Sequence, residues 1–299
     1  MPSANTSTAG SSLAIIFAVD FGIQFVFYVV SAALKTEKYY DLSGSLTYIT
    51  CILVGLLARS SGPSGEDNAL STLNARQIVA AALVLVWAVR LGSFLFARVS
   101  THADKRFDNL KTNPLKFAVP WTLQVIWIFL TAFPVFIVIA NIASLQAAFG
   151  WSDGVGIAVW VFGFVVEAVA DAQKMAFKNA NPTKFMQTGL FKYSRYPNYF
   201  GEVTLWTGMF ILCAAGFTDA WQWVSIISPL FVFCLIYFVS GVRLLEESSE
   251  KRYGQDPEFI AYKKRTSKFV LWFPGKKVSV NVATAEGSDV ASAGTITAR

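Results

Sequence analysis

The stretch FAVPWTLQVIWIFLTAFPVFIVIANIASLQAAFGWS, residues 117–152, decides the fold class because it contains no Asp, Glu, Lys or Arg. About 20 apolar residues in a helix cross the hydrocarbon core of a bilayer, where a helix satisfies its own backbone polar groups. The stretch therefore predicts a membrane-spanning helix over 117–147. Roughly thirty residues exceed the thickness of that core, so we expect a kink at Pro134, a tilt or a projecting end, whereas a hairpin would change the number of spans.

The rest of the chain has the composition of a membrane protein. Hydrophobic residues make up 54% of the 299 residues and charged residues only 15%, against about 25% charged in soluble domains. The mean hydropathy is +0.48. We predict an all-α, multi-pass transmembrane helical bundle of seven spans, at 12–34, 43–58, 77–97, 117–147, 154–172, 201–217 and 221–243. Residues 1–11 form a short tail before the membrane domain at 12–274, and residues 275–299 read as a disordered tail of small polar residues.

The distribution of Lys and Arg predicts the orientation of the bundle. With seven spans, 22 of the 25 Lys and Arg residues fall in the loops and tail of one side. Basic loops stay on the cytoplasmic side, so we expect the N terminus outside and the C terminus inside. The membrane would be that of the endoplasmic reticulum in a eukaryote, or the cytoplasmic membrane in a bacterium. The net charge of +6 is then a topology signal, and we expect no nucleic-acid binding because no autonomous basic domain is visible.

Metal and disulfide chemistry is not expected. The cysteines Cys51, Cys213 and Cys234 all fall inside predicted spans, where they read as packing residues. His102 is the single histidine, so the sequence predicts neither a metal site nor a histidine-based triad.

Charged residues inside spans are costly and need a reason. Asp20 lies in the first span, one turn before Gln24, and Arg90 lies in the third. One interpretation is an ion pair between Asp20 and Arg90 that locks two helices. The other is that these groups line a polar cavity.

The end of the fifth span carries a charged helical face. In VEAVADAQKMAFKNANP, residues 166–182, spacings of four, three and four place Glu167, Asp171, Lys174 and Lys178 on one side of the helix. The lysines either complement exposed carbonyls at the helix C-terminus or hold phosphate groups.

A second polar block, GLFKYSRYPNYFGE at residues 189–202, precedes the sixth span. Pro197 suits the first position of a helix, and Asn198 and Glu202 then share one face. A helix N-terminus preceded by Lys192 and Arg195 favours an anion. The alternative is an aromatic belt at the membrane interface, which explains the aromatic residues but not Asn198 and Glu202.

A third polar block, RLLEESSEKRYGQDPEFIAYKKRTSKFVLWFP at residues 243–274, is too polar to enter lipid and too aromatic for a free tail. We expect it to be helical and to fold back onto the ends of the spans. The three polar blocks would then converge on one face of the bundle, as a lid over a cavity embedded in the membrane.

These residues resemble the steroid 5-alpha-reductase-like superfamily, most closely its DUF1295 branch. The resemblance rests on AALVLVWAVRLGSFLFAR (81–98), RFD (106–108), ADAQKMAFK (170–178), the 189–202 block with Trp206, and LLEESSEKRYG (244–254). It implies NADPH-dependent reduction of a carbon-carbon double bond in a sterol, steroid or other lipid, with the substrate entering from the bilayer.

The resemblance also implies roles for individual residues. It implies that the cofactor is bound by Lys174, Lys178, Arg195, Asn198, Glu246, Lys251, Tyr253 and Tyr262. The chemistry needs an acid beside the hydride acceptor, and the candidates are Tyr199, Glu202, Tyr193 and Glu167. No metal is implied.

One position departs from the superfamily pattern. Its motif usually reads Arg-His-Pro-Asn-Tyr, and here Tyr196 stands where the His is expected. A phenol donates a hydrogen bond but does not change charge near neutral pH, so a mechanism that uses this His as a proton carrier does not transfer. Two other functions stay open. One is an S-adenosylmethionine-dependent methyltransferase of the isoprenylcysteine type, which has a similar motif, and the other is a non-catalytic lipid-binding membrane protein.

Overall fold

The computed structural model describes residues 4–58, 72–101 and 107–275. Within these ranges the chain is helical, with the helices α1 (Ala4–Leu34), α2 (Tyr40–Ala58), α3 (Ala75–Thr101), α4 (Pro114–Ala140), α5 (Trp151–Ala180), α6 (Pro197–Ala214), α7 (Ile227–Cys234), α8 (Val242–Tyr253) and α9 (Pro257–Arg265). A 3₁₀ segment (Ala220–Ile226) leads into α7, and a π-helical turn (Leu235–Ser240) follows it. His102 and nearly all of the predicted C-terminal tail lie outside the described residues.

The predicted all-α multi-pass bundle is confirmed. Six helical segments are long and apolar enough to cross a membrane: α1 to α5 and the composite segment Ala220–Tyr253. The predicted span at 201–217 forms α6 instead, which starts earlier, at Pro197, and is not among the six. Its first turns contain the polar residues Asn198 and Glu202.

The charge-free stretch forms one helix that ends at Ala140, seven residues before the predicted end at residue 147. Pro114 occupies the first turn, and the Asn113 side chain caps it by accepting from the Lys116 N–H at 3.2 Å. Pro134 lies inside this helix without ending it. After Asn141, which is extended, the chain makes a short 3₁₀ turn (Ala143–Leu145), so the excess length is irregular chain rather than a hairpin.

Helices α5 and α6 pack antiparallel in backbone contact. A Cβ atom added at Gly163 would lie 2.4 Å from the backbone nitrogen of Leu205, and one at Gly208 would lie 2.4 Å from that of Trp160. Gly201 likewise faces the backbone of Glu167. Small residues at helix interfaces allow this close approach in membranes. As a result, the acidic turns of α5 and α6 are held side by side.

At the other end of α5 lies a buried ion pair that the sequence interpretation missed. Arg76, at the start of α3, lies 2.6 Å from Asp153 of α5, and both side chains are at most 1% exposed. Arg76 also donates to the carbonyl oxygens of Ala147 and Ala148. The sequence had placed Arg76 in a loop. Instead, Arg76 donates hydrogen bonds to backbone carbonyl oxygens in the segment between α4 and α5.

The third polar block folds back as expected. After α9, the chain crosses the start of α6, where Ser194 and Ser267 form a parallel bridge and the Arg195 N–H donates to the Ser267 carbonyl at 2.9 Å. The Tyr262 hydroxyl donates to the Phe191 carbonyl at 2.7 Å. These bonds hold α8 and α9 over the end of α5 and the beginning of α6.

Candidate functional site

A cavity of about 660 Å³ opens between α3, α4, α5 and α6, within the range of roughly 300–1,000 Å³ that is usual for small-molecule sites. One wall is mainly apolar and contains Leu91, Phe94, Leu95, Trp127 and Met175. The other wall is polar and contains Glu167, Asp171, Lys174, Lys178, Asn179, Asn198, Tyr199 and Glu202. An amphipathic molecule with a long apolar part matches such a lining.

A second cavity of about 180 Å³ lies under α8 and α9. Its lining is mainly basic and aromatic, with Arg195, Arg252, Phe185, Tyr196, Tyr253, Phe259 and Tyr262 among its residues. Lys174 and Lys178 line both cavities. The two lysines therefore stand at the junction of an apolar, acidic chamber and a basic, aromatic one.

Arg90 organises the acidic side of the larger cavity. Its Nη1 donates to Glu167 Oε1 at 2.5 Å and its Nη2 to Asp171 Oδ2 at 2.6 Å. The Asn198 side-chain amide donates to the other Asp171 oxygen at 3.2 Å. The interpretation of an Asp20–Arg90 pair is wrong, because Arg90 of α3 faces α5, whereas α1 packs against α2 and α4.

Several polar oxygen atoms beside the larger cavity still lack a hydrogen bond after these contacts. The second oxygen of Glu167 and the side-chain oxygen of Asn198 are buried and accept no hydrogen bond within the described chain. Glu202 lines the cavity with no hydrogen bond or ion pair to a described residue. Arg90 thus pairs with two of the three carboxyl groups, which leaves Glu202 available to hold or donate a proton.

The motif at the start of α6 is locked by Glu246 of α8. Arg195 Nη1 lies 2.7 Å and 2.8 Å from the two carboxylate oxygens of Glu246, and the Tyr196 hydroxyl donates to the same group. Burial, and then the hydrogen bond to Glu246, raises the pKa of Tyr196 above its ordinary value. At the position where the superfamily motif has His, this chain therefore carries a neutral donor fixed on a carboxylate.

Aromatic rings surround the lysine junction on the side of the smaller cavity. The ring of Phe185 lies 5.1–5.8 Å from the rings of Tyr253, Phe259 and Tyr262. Burial raises the pKa of Tyr262, whose hydroxyl is already bonded to the backbone. Lys178 donates to the Lys184 carbonyl at 2.6 Å and to the Tyr253 hydroxyl at 3.5 Å. These bonds position the Lys178 ammonium group at the edge of this cluster of aromatic rings.

Most of the residues proposed from the sequence converge here. Among the acid candidates, Glu167, Tyr199 and Glu202 line the larger cavity. Tyr193 lines neither cavity, because its ring turns to Phe273, with the two ring centroids 6.4 Å apart.

The cofactor candidates line one or both cavities, with one exception. Lys251 is exposed and lines neither, whereas its neighbour Arg252 lines the smaller cavity. The sequence interpretation gave no role to Arg252 or Trp127. It noticed Arg90 as a charge within a span but chose no partner on α5.

Within the described part of the chain, no group of three or more His, Cys, Asp or Glu residues is placed to hold a metal ion. Cys51, Cys213 and Cys234 are free thiols; Cys51 and Cys213 are buried, as expected of packing residues, whereas Cys234 is exposed.

Comparison with known proteins identifies a family and one relative of low sequence identity. The family model described as "Protein of unknown function (DUF1295)" matches residues 27–266. An uncharacterised protein of the fission yeast Schizosaccharomyces pombe is 26% identical over 166 residues, which cover 49% of this chain and 46% of the yeast protein. The chain therefore matches less than half the length of that relative. No solved structure matches.

Proposed function

The chain belongs to the DUF1295 family, and we propose that it is an NADPH-dependent reductase of the steroid 5-alpha-reductase-like superfamily, acting on a carbon-carbon double bond of a sterol, steroid or other lipid. One observation carries the proposal: two chambers of opposite chemistry meet at Lys174 and Lys178. A substrate with a long apolar part suits the larger chamber, and a phosphate-bearing aromatic cofactor suits the junction and the smaller one.

The donor set at the junction fits the cofactor. Phosphate groups need cationic partners, and Lys174, Lys178 and Arg252 supply three. The rings of Tyr253 and Tyr262 offer stacking surfaces for a nucleobase. Arg195 is largely committed to Glu246, so its role is to fix α8 over the junction rather than to supply a free charge. Bound NADPH would supply the hydride for the reduction.

The protein's part in the reaction is to exclude water, orient the alkene and provide a proton. Leu91, Phe94 and Leu95 line the apolar wall on which a lipid hydrocarbon packs. Glu202, which has no partner in the described chain, is our choice as proton donor, with Tyr199 beside it in the lining. Arg90 holds Glu167 and Asp171 in place and so orients the acidic wall around Glu202.

A methyltransferase using S-adenosylmethionine is the second candidate, favoured by the acidic wall of the larger cavity. The carboxyl groups of Glu167, Asp171 and Glu202 would attract a sulfonium cation. Against this, S-adenosylmethionine has no phosphate, so the cationic lining of the smaller cavity would match no group of that cofactor. The basic chamber therefore favours NADPH.

Calorimetric titration of the detergent-purified protein with NADPH, NADH and S-adenosylmethionine tests the proposal. We expect saturable binding of NADPH. Lys174→Ala should weaken it about tenfold or more, because a charge-assisted hydrogen bond contributes about 1.5–3 kcal/mol. Lys192→Ala removes an exposed lysine that lines neither cavity and should leave binding unchanged.

The other outcomes of the titration reject the reductase. Binding of S-adenosylmethionine alone would make the chain a methyltransferase. Binding of none of the three would leave a non-catalytic lipid-binding protein.

A further inference from the structure

Asp20 lies in the middle of α1 with no partner. Its side chain is 0% exposed, and neither carboxyl oxygen accepts a hydrogen bond from a described residue. Gln24, one turn later, is 1% exposed. Its amide nitrogen donates to Thr47 at 2.9 Å, but its side-chain oxygen accepts nothing. Even with a proton on Asp20, these two side chains offer more oxygen atoms that accept hydrogen bonds than groups that donate them.

The matching donors are buried nearby and are also unused. Apart from the approach of Tyr48 to Thr131 and of Trp87 to Glu167, the hydroxyls of Tyr48 and Thr131 and the indole N–H groups of Trp87 and Trp206 have no partner within the described chain. All four side chains are at most 1% exposed. Together with Asp20 and Gln24 they form a group that we call the internal polar row. Each unsatisfied buried group costs about 1–3 kcal/mol, so a dry row would be a large penalty.

The internal polar row leads to the larger cavity. The ring of Tyr48 lies 5.2 Å from that of Trp127, which is part of the cavity wall, and 5.1 Å from that of Trp87. Trp87 in turn lies 5.0 Å from Trp206. The Tyr48 ring also lies 6.3 Å from that of Trp206, which is one turn after Glu202 on α6, and Tyr48 directly follows Thr47, to which Gln24 of α1 donates. It therefore stands between the buried acid of α1 and the acid of the cavity.

Water molecules would supply the missing hydrogen bonds of the internal polar row. A buried water makes about three hydrogen bonds, and the row offers both unused donors and unused acceptors. Hydroxyl groups and waters that alternate in this way also pass protons. We propose that the internal polar row is hydrated and forms a proton path from Asp20 through Tyr48 to Glu202.

This path rests on the proposed reduction and completes its proton balance. Each turnover adds a hydride to one alkene carbon and a proton to the other, so Glu202 loses one proton. A lipid in the larger cavity excludes water from that side. The proton is then replaced from behind the cavity wall, through Tyr48, by Asp20, which regains a proton along the same row when the product leaves and water re-enters the larger cavity.

Hydroxyl-radical footprinting with X-ray pulses tests the hydration without any assumption about activity. Radicals formed from bound water oxidise the side chains beside it, even in a protein interior. We expect oxidation of Tyr48, Trp87 and Trp206, and none of Phe136, which is 0% exposed and carries no polar group. If Tyr48, Trp87 and Trp206 are as unreactive as Phe136, the internal polar row contains no water and the proposal is overturned.

Kinetics test the transfer of protons. Tyr48→Phe removes only the hydroxyl, and we expect kcat to fall about tenfold with KM and the Kd for NADPH unchanged. The solvent deuterium isotope effect on kcat should rise. Tyr28→Phe is the matched control, because that hydroxyl donates to the Pro114 carbonyl away from the row. An unchanged kcat in Tyr48→Phe would reject the proton path, even if footprinting shows that the internal polar row contains water.

Asp20 is tested in the same assay. Asp20→Asn should reproduce the loss in kcat, and Asp20→Glu should restore part of it, which a purely structural role of the side chain would not predict. Failure of the path and failure of the reductase are distinguishable. NADPH binding with a dry row rejects the path alone, and absence of NADPH binding rejects both.

Discussion

Arg90 of α3 and Asp171 of α5 are joined by an ion pair of 2.6 Å, with only 19% and 10% of the two side chains exposed. The same guanidinium reaches Glu167 one turn earlier on α5. A single arginine therefore fixes both the separation of two helices and the orientation of two carboxyl groups beside the larger cavity.

Removal of that arginine should destabilise the bundle. Arg90→Ala leaves two buried carboxyl groups without a counter-charge, and we expect the free energy of unfolding to fall by about 3–5 kcal/mol. Arg243→Ala is the control, since its ion pair with Glu247 is 68% and 54% exposed and contributes at most about 1 kcal/mol. Thermal unfolding in detergent, followed by tryptophan fluorescence, measures both. Equal losses in the two variants would contradict the role given to Arg90.

Glu202 should matter for turnover and not for cofactor affinity. Glu202→Gln keeps the shape of the side chain but removes its ability to donate a proton, so we expect kcat to fall about 100-fold or more. The Kd for NADPH should stay the same, because Glu202 lies in the larger cavity and not in the smaller one. Glu247→Gln, at an exposed site of α8, serves as the control. Full activity of Glu202→Gln would move the donor role to Tyr199 or Glu167.

The contact between α5 and α6 should not tolerate a methyl group. In Gly163→Ala the new Cβ meets backbone atoms of Leu205, which cannot rotate away, and we expect a loss of about 1–3 kcal/mol. Gly154→Ala on the same helix meets nothing within 4 Å and should be neutral or stabilising by up to about 1 kcal/mol. The difference in melting temperature between these two variants measures the effect of the contact.

Tyr196 should contribute to stability in a pH-dependent way. Its pKa is raised in the folded protein by burial and by Glu246, so the folded state holds the phenolic proton more tightly than the unfolded chain. This stabilisation is complete below a pH of about 10 and is lost as the pH rises through the folded pKa. We expect Tyr196→Phe to lose less stability than the natural protein between neutral and strongly alkaline pH. Tyr39→Phe, at an exposed position, should follow the natural curve.

Arg252 rather than Lys251 should bind the cofactor. Both side chains are exposed, but Arg252 lines the smaller cavity and Lys251 lines neither cavity. We expect Arg252→Ala to weaken NADPH binding about tenfold and Lys251→Ala to leave it within twofold, as measured by the same calorimetric titration. The reverse result would favour the assignment that the superfamily resemblance implied.

The sequence predicted the helices well, because uncharged runs long enough to cross a bilayer are a local property. It also predicted that Lys174, Asn198 and Glu202 would converge, since helical spacing puts them on inward faces near the same end of the bundle. It did not predict which helices are neighbours. One of the two interpretations of Arg90 therefore paired it with Asp20 of α1, although the carboxyl groups that Arg90 contacts are on α5.

Other errors have equally specific causes. Lys251 and Arg252 differ by one residue, which is a rotation of about 100° on a helix, and the sequence alone does not give the rotation of α8 about its axis. Arg76 lay just outside the predicted span at 77–97. Its partners are Asp153 and two backbone carbonyls, and the pattern of residues in a sequence does not reveal such contacts between distant segments. The end of α4 at Ala140 was missed because the residues beyond it remain apolar.

The backbone contact between α5 and α6 also determines how the larger cavity can change shape. With glycines facing backbone atoms at several points, the two helices form a rigid half that can neither slide nor rotate internally. Any widening must then come from α3, which contributes Leu91, Phe94 and Leu95, or from α4, which contributes Trp127. Since Arg90 ties α3 to α5, its two ion pairs limit how far α3 can move away from the acidic wall.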